Sequence, residues 1–371
     1  MHTNPLLTLQ DYGQSIWLDF IRRDLLDSGK LQKLIEEDGI RGVTVNPSIL
    51  DHAIRETDDY EDAIEELAAE GKSPEEIYEA LAIEDVRRAT DLLRPLYDES
   101  EGHHGFVSLE VSPHLAYDTE GTIEEARRFW KKVDRPNLMI KVPATEEGLD
   151  AIRRLTTEGI NVNVTLLFGI PRYREVTQAY MEGIEARIQD DQPVDRIASV
   201  ASFFLSRIDV LVDPMLEEKM EEGGRQGKIA TQLHGQIAVT SAKTAYKNYQ
   251  ELFEHGPFRA LAEEGARVQR LLWASTSTKN PDYSDVKYVD ALIGVRTVNT
   301  APMRTLDAYR DHGDPAPRLT QDVEEAREML KQLAQVNIDL DQVTQQLEDE
   351  GVEKFINSYD QVIAALAKRA Q

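Results

Sequence analysis

The chain has 371 residues, of which 41% are hydrophobic and none is cysteine, and its formal net charge at pH 7 is −26. A chain of this length can bury a substantial core, while the lack of cysteine excludes disulfides, thiolate nucleophiles and cysteine-ligated zinc. The negative charge disfavours nucleic-acid binding because it repels phosphodiester backbones, and no run of about 18 apolar residues predicts a membrane span.

The acidic residues are spread along segments that are expected to be exposed, such as residues 58–62 and 217–218. One interpretation is a surface adapted to high salt, where ions screen the repulsion between carboxylates. The other is an ordinary acidic cytoplasmic protein. The N-terminus has no basic-then-apolar signal, so a cytoplasmic location is expected in both cases.

Short apolar runs alternate with amphipathic helical stretches along the chain, a pattern typical of βα units around a parallel sheet. Eight such units predict a single closed (β/α)8 TIM barrel over about residues 14–310. The predicted strands are Ile16–Phe20, Gly42–Val45, Phe106–Val111, Leu138–Val142, Asn161–Thr165, Ile197–Phe203, Leu271–Ala274 and Thr297–Thr300.

Two connections are too long for one helix. After strand two, Ser73, Pro74 and Glu76 predict a capping box and an inserted helix that runs to about Leu93. The connection between strands six and seven, residues 213–269, must hold at least two helices that are broken near Gly223-Gly224.

A turn-rich linker, residues 311–317, follows strand eight. The tail beyond it has helical spacing, with a predicted break at Gly351. We expect this tail, about residues 319–371, to be a helical appendage on the barrel, so that residues 1–371 form one domain.

Active sites of barrels lie at the carboxyl ends of the strands. Polar residues interrupt the apolar runs at those ends in five successive strands: Asp19, Asn46, Glu110, Lys141, Asn163 and Thr165. One or two polar residues would be ordinary there, but a set from successive strands predicts a shared site.

Lys141 lies in the apolar segment 138–143. If its side chain points inward it loses hydration, and desolvation disfavours the charged amine. A neutral amine attacks carbonyls to form a Schiff base, and the carboxylates of Asp19 and Glu110 could move the protons that this chemistry requires. The alternative is a lysine that reaches water or pairs structurally with one of those carboxylates.

Cations and hydroxyl groups follow strands six and seven. Ser202 and Arg207 lie close together in the sequence, and the segment 275–280 contains Lys279. Barrels often bind phosphate near their later strands, where arginine, lysine and hydroxyl groups suit it. The alternatives are a salt bridge of Arg207 with Asp209 or Asp213, and an ordinary polar loop at 275–280.

Six segments occur in a fixed order: Trp17-Leu18-Asp19, residues 42–49, 108–111, 140–145, 161–168 and 275–280. As a set they resemble the transaldolase family, over roughly residues 7–307. The resemblance implies a barrel enzyme of the pentose phosphate pathway that needs no cofactor and no metal. Its reaction would transfer a dihydroxyacetone unit from sedoheptulose 7-phosphate or fructose 6-phosphate to glyceraldehyde 3-phosphate or erythrose 4-phosphate.

The resemblance implies a role for each matched residue. Lys141 matches the Schiff-base lysine, Asp19 the acid/base at the C4 hydroxyl, and Glu110 with Thr165 the pair that positions a catalytic water. The residues that match substrate-binding positions are Asn46, Asn163 and Ser202 for the dihydroxyacetone unit, Phe204 as a shielding ring, and Arg207 with Lys279 for the phosphate. Many relatives carry arginine at the position of Lys279, so here a point charge replaces a planar fork.

Two other functions remain open. Fructose 6-phosphate aldolases are similar lyases that carry Gln and Tyr where this chain has Glu110 and Phe204, which favours transfer over release. A barrel that binds sugar phosphates without turnover is the second alternative, although none of the three reactive side chains is replaced. His103 and His104 predict a solvated loop and not a metal site, and the sequence leaves a monomer and a homodimer open.

Overall fold

The structure is a computed structural model that describes residues 4–370. Eight parallel strands form a closed barrel in which each strand pairs with the next and the eighth pairs with the first. The strands are β1 Gln14–Leu18, β2 Gly42–Thr44, β3 Phe106–Glu110, β4 Leu138–Pro143, β5 Val162–Leu167, β6 Ser199–Phe204, β7 Arg270–Ala274 and β8 Thr297–Ala301. The predicted (β/α)8 barrel is confirmed, and each predicted strand overlaps an observed one.

Helices surround the barrel and fill its connections. They are α1 Pro5–Asp11, α2 Arg23–Asp27, α3 Lys30–Glu37, α4 Pro47–Glu56, α5 Glu61–Ala69, α6 Pro74–Glu99, α7 Thr119–Val133, α8 Glu146–Thr157, α9 Ile170–Gln189, α10 Ser206–Glu222, α11 Gly224–Leu233, α12 Ile237–Tyr249, α13 Phe258–Glu263, α14 Lys287–Ala291, α15 Met303–His312, α16 Val323–Leu333 and α17 Leu340–Arg369. Across residues 4–370 we find no helix with the length and apolar character that a membrane crossing requires.

The inserted helix α6 begins where the sequence predicts. Ser73 Oγ accepts a hydrogen bond from the backbone N–H of Glu76, whose carboxylate accepts one from the N–H of Ser73. The helix continues past Leu93 to Glu99, however, because its last turns pack on the barrel, with the ring of Tyr97 edge-on to that of Phe106 at 5.4 Å. The predicted break at Gly223 is confirmed, since α10 ends there with a φ of 69°.

The register of the barrel sets polar residues of neighbouring strands side by side. Glu110 pairs with Lys141, Lys141 pairs with Asn163, and Pro143 pairs with Thr165. The register then shifts within β5, after Val164. Bulges of this kind re-aim side chains next to active sites, and this one directly adjoins Thr165.

The tail is helical, as predicted, but the predicted break at Gly351 is wrong. Helix α17 continues through Gly351, which is buried against the barrel. A Cβ at this position would lie 3.0 Å from Cδ2 of Leu166 and 3.5 Å from Nη1 of Arg207. The glycine therefore permits a close approach of α17 to the barrel and does not end the helix.

Helix α17 crosses the carboxyl end of the barrel. Near its start Thr344 lies against Gly169, at the end of the β5–α9 connection. Further along, the hydroxyl of Ser358 bonds that of Ser48 at 2.8 Å on α4. Near the end Arg369 donates to the carbonyl of Ile54 at 2.9 Å, so the helix spans the mouth from one side to the other.

Candidate active site

Lys141 points into the barrel and is buried, with 4% of its surface exposed. Its Nζ lies 3.1 Å from Oε2 of Glu110 and donates to the carbonyl of Val45 at 3.3 Å. Burial raises the pKa of Glu110, an effect that the nearby Lys141 partly offsets. A carboxyl group that readily takes up a proton thus lies in contact with the amine.

Asp19 lies at the end of β1, half-buried at the barrel mouth. Its Oδ1 accepts a 2.6 Å hydrogen bond from Thr44, whose hydroxyl also lies 2.7 Å from that of Thr300. Burial raises the pKa of Asp19, while Lys141 lowers it, followed by the Thr44 hydrogen bond. Thr44 and Thr300 were not predicted from the sequence as site residues, although Thr44 lies on β2, where alternate side chains point into the barrel.

Three buried polar atoms of Glu110 and Thr165 have no hydrogen-bond partner among residues 4–370. They are both carboxylate oxygens of Glu110, of which Oε2 has only its ion pair with Lys141, and the hydroxyl of Thr165. Unsatisfied buried polar atoms are costly, so atoms of this kind commonly bind water or ligand. The pair fits the predicted role of holding a water molecule.

Asn163 lies at the centre of the barrel and is fully buried. Its Nδ2 donates to the hydroxyl of Ser108 at 2.9 Å, and its Oδ1 accepts from Ser202 at 2.7 Å. Asn46 uses Oδ1 to cap α4, by accepting from the N–H of Ile49 at 3.0 Å. The predicted amides and Ser202 are therefore inward or at the mouth, and they are held in place by defined hydrogen bonds.

Two aromatic rings close one side of the mouth. Phe204 packs on Phe168 with ring centroids 5.2 Å apart, and the guanidinium of Arg207 lies 5.5 Å from the centre of the Phe204 ring. On its other side Arg207 lies 5.9 Å from the ring centre of Phe355, which belongs to α17. The arginine is thus held between the barrel and the C-terminal helix.

The structural alternatives for Arg207 are wrong. Asp209 accepts instead from Lys287 at 2.9 Å, and Asp213 accepts from Tyr283 at 2.6 Å. Within residues 4–370 no carboxylate lies within salt-bridge distance of Arg207, and burial lowers the pKa of its guanidinium.

Lys279 follows β7 and donates to the hydroxyl of Ser277 at 2.9 Å. Its pKa is lowered by partial burial and by three neighbouring cations, Arg304, Lys354 and Arg207. Arg304 and Lys354 were not predicted from the sequence. Arg304 lies in the first turn of α15 and Lys354 lies on α17, so neither lies at the end of a strand. We call Arg207, Lys279, Arg304 and Lys354 the mouth cations.

Metal ligands do not cluster here. Over residues 4–370 there is no group of three or more histidine or acidic side chains arranged to hold an ion. The site consists instead of a buried amine, two carboxyl groups, amides, hydroxyls and the mouth cations.

Comparison with known proteins gives a consistent result. Residues 16–366 match the family model described as transaldolase/fructose-6-phosphate aldolase. A relative from Thiobacillus denitrificans named transaldolase is 50% identical over 354 residues, which cover 95% of this chain and 97% of the relative. Proteins of the same name from Trichodesmium erythraeum and Mycobacterium tuberculosis are 46% and 47% identical, with coverage of 96% or more of both chains in each comparison.

Proposed function

The chain belongs to the transaldolase/fructose-6-phosphate aldolase family and is a transaldolase, and we propose that it transfers a dihydroxyacetone unit between sugar phosphates through a Schiff base on Lys141. The observation that carries this proposal is the buried Lys141 amine, 3.1 Å from Glu110 and next to Asp19. An amine in contact with one carboxyl group, and close enough to a second to change its pKa, can react with a carbonyl while these groups move protons.

The first step joins the ketose to the enzyme. The amine of Lys141 attacks the C2 carbonyl carbon to form a carbinolamine, which then loses its hydroxyl group as water to give the imine. Glu110 takes the proton that the amine releases and returns one to the departing hydroxyl, which its burial-raised pKa favours. The unpartnered Thr165 hydroxyl and Glu110 Oε1 hold the water involved.

The second step breaks the bond between C3 and C4. Asp19 removes the proton of the C4 hydroxyl, C4 becomes the aldehyde of the first product, and the bonding electrons pass into the imine, which is protonated on its nitrogen, to leave a neutral enamine on Lys141. When the acceptor aldehyde binds, C3 attacks its carbonyl carbon and Asp19 returns the proton to the new hydroxyl. Water then hydrolyses the imine and frees Lys141.

Substrate binding is divided along the site. Asn46, Asn163 and Ser202 lie near the dihydroxyacetone end, where the hydrogen bonds described above fix their positions. The mouth cations supply positive charge for the phosphate, in a chain whose net charge is −26. Within residues 4–370 none of the mouth cations forms a salt bridge with a carboxylate, which supports a bound anion as their counter-charge.

Control of water separates transfer from simple release. The enamine has to persist until the acceptor arrives, because early protonation and hydrolysis would release free dihydroxyacetone. The rings of Phe204 and Phe168 and the overlying helix α17 limit access of water to the mouth. These features support a transferase over the lyase alternative.

Trapping of the Schiff base tests the proposal. Borohydride reduction in the presence of fructose 6-phosphate should add a dihydroxyacetone-derived mass to the peptide that contains Lys141. Lys141→Arg should abolish the adduct, whereas Lys354→Arg, a matched change at the mouth, should retain it. An adduct that persists in Lys141→Arg would refute the assignment.

An acceptor test distinguishes the two reaction types. Free dihydroxyacetone is measured with fructose 6-phosphate alone and after addition of erythrose 4-phosphate. A transferase forms sedoheptulose 7-phosphate with the acceptor and releases little dihydroxyacetone without it. Equal rapid release in both conditions would identify a lyase.

A further inference from the structure

A large cavity, of about 960 Å³, lies at the amino-terminal end of the barrel, opposite the mouth. The first residues of several strands line it, among them Ser15, Phe106 and Arg270. A volume of this size lies in the range of small-molecule binding sites, roughly 300 to 1,000 Å³. None of the mouth residues described above lines this cavity, which we call the amino-end cavity.

The charge of the amino-end cavity opposes that of the whole protein. Five arginines line it, namely Arg41, Arg196, Arg267, Arg270 and Arg296, whereas its two acidic residues, Glu101 and Asp195, are both exposed. No lysine lines the cavity. The planar guanidinium group suits bidentate binding of phosphate or carboxylate, so this composition points to an anion.

Arg270 is the innermost of these cations. Its Nη2 donates to the hydroxyl of Ser15 at 2.7 Å and to the carbonyl of Thr297 at 2.6 Å, but its Nε is buried and has no partner among residues 4–370. No carboxylate of the described chain forms an ion pair with it, and burial lowers its pKa to about 10. A buried cation without a counter-charge is costly, and a bound anion would remove that cost.

A second donor in the cavity is also without a partner. Trp17 is 1% exposed, lines the cavity, and has no acceptor within residues 4–370 for its indole N–H. Tryptophan N–H groups usually find an acceptor when they are buried. Trp17 and Arg270 therefore line the same cavity, and each has a buried N–H group without an acceptor among residues 4–370, which favours an acceptor-rich ligand.

His104 also borders this cavity, and it is half-buried in the loop that the sequence predicts. Its Nδ1 lies 3.4 Å from the hydroxyl of Ser15, which in turn accepts from Arg270. Burial, with smaller contributions from Arg270 and Arg41, lowers the pKa of His104 to about 3. The imidazole therefore adds no positive charge to the cavity at neutral pH.

Aromatic rings form the remaining wall. The rings of Trp17 and Phe106 lie 6.5 Å apart, and those of Phe253 and Phe258 lie 4.8 Å apart, edge to face. Such rings favour a planar or apolar group on the ligand. Inorganic phosphate has no group that could pack against these rings.

From these contacts we infer that the amino-end cavity binds a phosphate monoester that carries a planar ring. The phosphate bonds to Arg270 and the indole N–H of Trp17, and the ring packs on the aromatic wall. This site is separate from the proposed catalytic site and would exist whether or not Lys141 forms a Schiff base.

Calorimetric titration with phenyl phosphate tests the inference. The mouth cations also bind phosphate, so the titration is performed on Arg207→Met/Lys279→Met, which weakens the mouth site and leaves the amino-end cavity intact. We expect one saturable site, with inorganic phosphate binding more weakly and benzyl alcohol not at all. No saturable binding by about 10 mM phenyl phosphate would overturn the site, and equal affinity for inorganic phosphate would overturn the role of the ring.

Two further substitutions in that background locate the ligand. Arg270→Met should weaken phenyl phosphate binding about tenfold or more, whereas Arg296→Met, the same change at an exposed arginine, should alter it by less than about twofold. Unchanged binding in Arg270→Met would refute the assignment.

A further readout covers the case in which Arg270→Met does not fold. Trp17→Phe keeps a ring but removes the N–H, and it should weaken binding several-fold. In the folded parent variant, phenyl phosphate should shift the NMR signals of the His104 ring. Unchanged His104 signals at saturation would place the ligand elsewhere.

Discussion

Both ends of this barrel hold buried or half-buried cations, but among residues 4–370 only the mouth places buried or half-buried carboxyl groups close to them. At the mouth, Lys141 lies 3.1 Å from Glu110 and lowers the raised pKa of Asp19. In the amino-end cavity, the hydrogen bonds that Arg270 donates within residues 4–370 go to a hydroxyl and a carbonyl group. The first arrangement offers groups that can exchange protons, whereas the second offers a guanidinium group that can bind an anion. A barrel can thus carry chemistry at one end and simple binding at the other.

The largest expected effect tests the proton transfer at the mouth. Asp19→Asn should lower kcat about 10²- to 10⁴-fold, because the C4 hydroxyl loses its general base. The imine should still form, so borohydride should trap an adduct that keeps the whole ketose. Arg270→Met, at the opposite end, should leave kcat unchanged. A normal kcat in Asp19→Asn would remove the distinction between the two ends.

Loss of a mouth cation should act on binding more than on chemistry. Arg207→Met should raise KM for fructose 6-phosphate about 10- to 100-fold, the effect of losing a charged hydrogen bond to phosphate. Lys354→Met should raise it only a few-fold, because that side chain is exposed. Unphosphorylated fructose should show neither change. An equal loss for both sugars would mean that these residues are structural.

The hydrogen bond from Thr44 allows the role of Asp19 to be tested through the pH dependence of kcat. If Asp19 is the base, as we propose, activity should fall as the pH drops through its pKa, which burial raises and Thr44 lowers. Thr44→Val should therefore raise that pKa and move the acid limb of kcat to higher pH by about one pH unit. Thr300→Val, which leaves the Thr44–Asp19 bond in place, should move it less. Identical acid limbs in all three proteins would contradict this role.

Gly351 tests how closely α17 must approach the mouth. Gly351→Ala places a methyl group 3.0 Å from Leu166, and the overpacking should cost about 1 to 3 kcal/mol, or about 1 to 4 °C in melting temperature. KM should also rise, because the same methyl group meets Arg207. An unchanged KM in Gly351→Ala would separate α17 from substrate binding.

The smallest effect per residue on stability is expected for the carboxylates of the acidic surface. Many surface carboxylates lie in exposed pairs, such as Arg127 with Glu158, which individually contribute little. If the excess of carboxylates is an adaptation to salt, the melting temperature should rise between dilute buffer and molar salt. Phenyl phosphate should bind more weakly over the same range, because salt also screens the arginines. A flat melting profile would favour ordinary acidity.

The reactive residues were predictable because they interrupt local patterns. Lys141 lies in an apolar strand and Asp19 lies in another, so each is conspicuous before the fold is known. Lys354 and Arg304 were not predictable in this way, since a lysine or arginine on a helix is ordinary in sequence. Gly351 was misinterpreted for a related reason, because glycine in a helical pattern indicates a break unless a close neighbour requires it.

The sequence by itself determined the eight-stranded barrel and the strand-borne site, because strand periodicity and interrupting polar residues are local properties of the chain. Only the tertiary structure decided that α17 covers the mouth with its cations, and that arginines from distant segments share a cavity at the other end. The physical reason is that closure of the barrel and packing of helices bring together residues whose separation along the chain carries no periodic signal. The clusters of charge and the unpaired donors at the mouth and in the amino-end cavity can be recognised only when the neighbours of each residue in the folded chain are known.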